Sequence, residues 1–105
     1  MNRREFLFGV LFNKPRPESL SVKVIEVFQS KDRPNGLLVH HADEATRPQF
    51  AQWLRGHNGF QIQCRDSDGR IFAGRLFRMK MCFGRGLILT SDRVNAHIGD
   101  VIRVN

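Results

Sequence analysis

The residues best able to do chemistry in this chain are few and scattered. His40, His41, Asp43 and Glu44 sit together in the stretch HHADE, with His57 and His97 elsewhere. Side chains alternate along a strand, which sends His40 and His41 to opposite faces, so the pair cannot close on one ion without distortion. No His-x3-His or Cys-x2-Cys spacing accompanies them, and no metal or other cofactor is expected. Cys64 and Cys82 are separated by 17 residues and make no framework. Free, partly buried thiols are their simplest reading, and a disulfide would require export. Nothing in the sequence sets either cysteine beside a histidine as a nucleophile and its base. Asp66 and Asp68 flank a turn, where aspartate serves local hydrogen bonding. Gly84-Arg85-Gly86 is too short for a phosphate loop and precedes a strand rather than a helix. Without convergent titratable groups the chain does not read as an enzyme, and catalytic residues are not assigned.

What the sequence does concentrate is positive charge. In 105 residues, 17 Lys and Arg oppose 10 Asp and Glu, a formal net charge of +7. Thirteen of the cations are arginine, whose planar fork matches phosphates and base edges. Such a balance speaks about partners: nucleic acid first, then an anionic membrane surface, then an acidic protein. The stretch 69–86 carries Arg70, Arg75, Arg78, Lys80 and Arg85 and not one acidic residue. Alternation along it gives one face of Ile71, Ala73, Phe77 and Met79, interrupted by Arg75, and another of Arg70, Phe72, Arg78 and Lys80. The first is expected to face the core. The second is expected to face outward together with Arg65, and Arg85 tips the next turn. A basic face with an interleaved aromatic suits phosphate contact and base stacking. The same cations would also serve as edge residues that discourage aggregation of an ordinary solvated sheet.

The elements that must carry this face are mostly strands. SVKVIEVFQ (21–29) and LLVHH (37–41) are expected to pair antiparallel across the turn SKDRPNG (30–36). Thr46 and Gln49 form a capping-box pattern, with Pro48 in the first turn. A helix is therefore expected over about 47–55, its stripe of Phe50, Trp53 and Leu54 packing in the core and Gly56 ending it. FQIQCR (60–65) and the basic stretch are expected to form a hairpin around Asp68-Gly69. A two-residue turn there would place Cys64 opposite Ala73 and Phe60 opposite Phe77. LILT (87–90) reads as a further strand, SDRVNAH (91–97) has room for one helical turn, and IGDVIRVN (98–105) closes with a strand.

Residues 1–18 are expected to form an apolar and basic extension ahead of a single domain at 19–105. Arg3, Arg4, Phe6 and Leu7 resemble the head of a twin-arginine export signal. The apolar run Phe6 to Phe12 stops at Asn13-Lys14-Pro15 with no small-residue cleavage site, so the signal lacks its body and a cytoplasmic protein is expected. The run is also far short of the roughly 20 residues that span a bilayer, so no transmembrane segment is expected.

Together these features predict a mainly β, α+β domain: a small, partly open β-barrel or roll with one short helix. Over about Leu87 to Val104, the order of apolar strand, turn and Gly-Asp before a last strand resembles two families. These are the plant B3-type DNA-binding pseudobarrels and the swapped-hairpin transcription factors that resemble AbrB. Barrels that bind no nucleic acid share the same layout. The leading expectation is a small basic module that binds nucleic acid, DNA ahead of RNA, through Arg65, Arg70, Phe72, Arg78, Lys80 and Arg85. The second is a protein–protein adaptor or accessory subunit for an acidic partner, using that face or the Phe-rich N-terminus. The third is an enzyme acting on a small anionic substrate.

Overall fold

The computed structural model describes residues 19–29, 31, 35–79 and 84–105. The extension at 1–18, with its twin-arginine-like start, lies outside the described residues, as do Lys80 and Cys82.

Among the described residues six strands build the fold: β1 (Leu20–Phe28), β2 (Asn35–His41), β3 (Gln61–Arg65), β4 (Ile71–Arg78), β5 (Gly86–Thr90) and β6 (Val101–Val104). All pair antiparallel, in the order β1-β2-β5-β4-β3-β6, and β6 closes the circle onto β1. The expected small β-barrel with one short helix is the observed architecture, and closure leaves the sheet without an unpaired edge.

The period of two is why these segments are strands. Leu20, Val22 and Val24 point inward from β1, Leu37 and Val39 from β2, Ile62 and Cys64 from β3. Leu76, Ile88, Ile102 and Val104 complete a core of mostly branched aliphatic residues. A register shift between Val24 and Glu26 puts an extra residue into β1, a bulge of the kind that helps a sheet curl closed.

The helix α1 (Arg47–His57) joins β2 to β3 and covers one end of the barrel with Phe50, Trp53 and Leu54. Trp53, read from the sequence as packing, is buried. The seat depends on Gly86, where a Cβ would lie 2.7 Å from Leu54 Cδ2. Two details of the helix differ from expectation. The capping box sits one turn earlier: Asp43 Oδ1 accepts from Thr46 N at 3.0 Å at the head of a short 3-10 turn, Glu44–Thr46. Thr46 therefore caps nothing with its own side chain, because its hydroxyl is already turned back to Asp43. Gly56 does not end the helix either, which runs on to His57. Among the described residues no helix is long and apolar enough to cross a membrane.

The other end is covered by the loop between β5 and β6. The helical turn for which 91–97 has room does not form, and the chain runs irregularly so that Val94 and Ala96 plug the core. Backbone bonds from Gly99 N to Val24 O (2.7 Å) and from Val24 N to Asp100 O (2.8 Å) fasten this loop to β1.

The β3–β4 hairpin corrects the expected register. Cys64 faces Phe72 rather than Ala73, and Gln61 faces Arg75. The turn is a three-residue loop, with Asp66 N donating to Arg70 O, Gly69 N donating to Asp66 O, and Gly69 at φ 85°. Such a loop pairs a type I turn with a left-handed residue, for which glycine carries no Cβ penalty. One residue more in the loop turns every β4 side chain over. Phe72, Gly74 and Leu76 consequently point inward, and Ile71, Ala73 and Arg75 point out.

Candidate nucleic-acid interface

Closure of the barrel sets β3 and β6 side by side, and their outward residues define the candidate site. On β3 these are Gln61, Gln63 and Arg65; on β6 they are Val101 and Arg103. Arg65 and Arg103 are direct cross-strand partners. Next to Arg65 on the other side stands Ile71, itself exposed. Across β1 the row continues with Ser21 opposite Arg103 and Lys23 opposite Val101.

A shallow groove of about 320 Å³ runs here, walled by Ser19, Gln63, Arg65, Ile71, Arg103 and Asn105 among others, and among the described residues no acidic side chain lines it. Arg65 Nη1 donates to Gly69 O at 3.2 Å and Arg103 Nε donates to Ser19 Oγ at 3.4 Å. Each bond uses one of five guanidinium donors. Among the described residues neither arginine pairs with an acidic side chain. Like charges directly opposite on a sheet destabilise it, so this pair carries a cost that a bridging anion would offset. Arg75 stands on the same hairpin, where its Nη1 donates to Gly59 O at 2.7 Å.

Of the described residues proposed from sequence to contact nucleic acid, only Arg65 belongs to this groove. Arg70 lies in the hairpin turn and lines a separate cleft at the loop end. Arg78 and Arg85 flank the helix end, where Arg78 N donates to Asn58 Oδ1 at 2.7 Å and Met79 N to Arg85 O at 3.1 Å. Phe72 is a correction: it is buried in the core, so it neither stacks on bases nor wedges between them. The expected basic face of β4 is thus dispersed by the hairpin parity. Sequence reading missed Arg103, although it stands between Ile102 and Val104 in an alternating strand. Arg75, the cation that interrupted the supposed core face, was the signal that the faces were inverted.

The other polar candidates resolve differently. His40 and His41, expected to diverge, bring their rings to 3.8 Å at the end of β2. Partial burial, and then the neighbouring His41, holds His40 below the ordinary imidazole range. Among the described residues no group of three or more His, Cys, Asp or Glu is placed to hold a metal ion. Cys64 is buried between β4 and β6, and burial pushes its thiol from 9.0 up to about 12. In a Cys82→Ser background, Cys64 will therefore resist an aromatic disulfide reagent at pH 8 and react fully once denaturant is added; a rapid native reaction would contradict its burial. Its folded pKa is raised, so the associated stability is complete below pH 9.0 and is lost as pH climbs toward about 12.

The chain matches no known family model and no curated protein.

Proposed function

We propose that this barrel binds nucleic acid, with DNA the first ligand to test, along the outward face of β3 and β6. The observation that carries this reading is the Arg65–Arg103 pair, opposite one another in a groove that, among the described residues, no acidic side chain lines. Arg65 and Arg103 would hold phosphates, with Lys23 and Arg75 extending the track. Gln61 and Gln63 offer amide donors and acceptors to base edges, and Ile71 and Val101 offer apolar contact.

Fluorescence anisotropy with labelled duplex and single-stranded DNA, across a salt series, tests it. Wild type is expected to bind at low salt and weaken steeply as salt rises. Arg65→Ala/Arg103→Ala should lose at least tenfold in affinity and about two units of salt slope. Its folding stability should be unchanged or raised by about 0.2–1 kcal/mol through relief of like-charge repulsion. The helix variant Arg47→Ala/Arg55→Ala serves as the control and should bind as wild type. Equal binding by wild type and the groove variant would remove the assignment of the face, and no binding at low salt would remove the function.

A second reading, a protein–protein adaptor, is favoured by the outer face of β1, β2, β5 and β4. There Phe28, Leu87 and Leu89 converge over the bare backbone of Gly36, at which a Cβ would meet all three at 3.4 Å. Leu38 and Phe77 are the cross-strand neighbours of Leu87 on that face. Contiguous outward apolar side chains of this kind mark interaction surfaces. Native protein should bind the dye ANS there and lose most of that fluorescence in Leu87→Glu/Leu89→Glu. A native protein that leaves the dye dark has this face covered, and the adaptor reading then loses its support.

A further inference from the structure

The loop end of the barrel holds a second, larger concavity that the groove reading does not use. Its volume is about 760 Å³, within the roughly 300–1,000 Å³ of small-molecule sites. Three connections build it. The β1–β2 connection supplies Lys31, the β3–β4 turn supplies Arg70, and the β5–β6 loop supplies Arg93 and Asn95. Cations from three separate loops thus line one space.

The distribution of acids around this end is what gives the cleft its sign. Among the described residues, the carboxylates of the β3–β4 turn and the β5–β6 loop are hydrogen-bonded within the loops themselves or to β4. Asp66 Oδ1 accepts from the backbone N–H of Asp68 (3.0 Å) and of Arg70 (2.9 Å). Asp92 Oδ2 accepts from Ala73 N at 3.2 Å. Asp100 Oδ2 accepts from His97 N at 2.9 Å and lies 3.7 Å from His97 Nδ1. Asp68, among the described residues the one acidic side chain lining the cleft, accepts from Asn95 Nδ2. Among the described residues none of these acids forms a salt bridge with Lys31, Arg70 or Arg93. The described loop acids bond to backbone N–H groups or to neutral side chains rather than to these cations, so Lys31, Arg70 and Arg93 outnumber Asp68 around the open space.

We propose that this cleft is a binding site for a small polyphosphate ligand of nucleotide size, separate from the β3–β6 groove. Arg70 and Arg93 act as planar forks for phosphate oxygens and Lys31 as a mobile point charge. Asn95 and Ser91 supply neutral hydrogen-bonding groups at the rim. Val94, mostly buried, supplies the apolar floor.

The test is an amide-resolved NMR titration of the full chain at about 0.15 M salt, which shortens the Debye length to roughly 8 Å and suppresses diffuse attraction. Pyrophosphate and ATP are the probes, with an oligonucleotide lacking terminal phosphates as the third arm. Saturable shifts at Arg70, Ser91 and Asn95 with ATP or pyrophosphate are expected. Arg70→Ala/Arg93→Ala should weaken that binding at least tenfold, whereas Arg65→Ala/Arg103→Ala should leave it within twofold. Both cleft arginines are exposed and among the described residues neither side chain anchors a loop, so the variant should fold, which its amide dispersion reports. No saturable shift from either probe overturns the proposal. So does a cleft that responds only to the oligonucleotide, since it then belongs to a nucleic-acid path. Because the two double variants remove different arginines, failure here and failure of the groove reading are read separately.

Discussion

Gly74→Val is expected to destabilise the barrel by about 3 kcal/mol, which in a domain of this size lowers the melting temperature by roughly 12–24 °C. Gly74 points inward from β4, and a Cβ built there lies 2.6 Å from Ile88 Cγ2 and 3.1 Å from Leu89 O. Ile88 cannot swing clear. It is fully buried, its Cγ2 is a branch at Cβ, and branched side chains have few alternative χ1 states. The carbonyl belongs to β5, which pairs with β4, so retreat would break the ladder. Alanine adds only the Cβ and should cost less, partly offset by the reduced freedom of its unfolded chain. Thermal and urea melts followed by circular dichroism measure both. A Gly74→Val protein within about 1 kcal/mol of wild type would show that β4 and β5 do not approach so closely. Ile88→Ala, which empties the contacted space, should couple favourably with Gly74→Ala in a double-mutant cycle.

Gly74 also marks where sequence reasoning ran short. The strands themselves were legible, because branched and apolar residues recur at a period of two in β1 and β3 and gather in short runs in β5 and β6. So was the packing stripe of α1, since Phe50, Trp53 and Leu54 share one side of any helix there. The faces of β4 were not legible. They hang on whether the hairpin loop holds two residues or three, and Asp68-Gly69 suits both. Treated as steric evidence, Gly74 would have decided it, since a glycine between two large side chains fits where another strand comes close. The site was less legible still. Arg65 and Arg103 meet only because β6 inserts between β3 and β1, a long-range pairing that no local pattern encodes. The capping signal failed for a simpler reason: Asp43 and Thr46 have the right types and spacing to compete with Thr46 and Gln49, and the earlier pair wins.

Asp66→Ala should then be the most damaging change at the loop end, costing about 3 kcal/mol, since hydrogen bonds to a charged group contribute roughly 1.5–3 kcal/mol each. The carboxylate is buried, and Oδ1 holds two backbone N–H groups of the turn at 3.0 and 2.9 Å. Those bonds hold the loop at three residues, and its length sets the orientation of β4. The opposite register would bury Arg75 and expose Phe72 and Leu76, a penalty far larger than the turn itself supplies. Loss of the carboxylate should therefore loosen the hairpin without flipping it. Asp66→Asn separates acceptor from charge. It keeps an oxygen for both N–H groups and replaces Oδ2, which has no hydrogen-bond partner among the described residues. The asparagine variant should lose less, about 1.5 kcal/mol, because its neutral amide oxygen still accepts from both donors although each bond is weaker than one to a carboxylate. Hydrogen exchange at the Arg70 amide reads the turn directly: faster in Asp66→Ala, close to wild type in Asp66→Asn. If both variants lose protection and stability alike, charge rather than hydrogen bonding holds the turn, and if neither does, the side chain is incidental to the hairpin's parity.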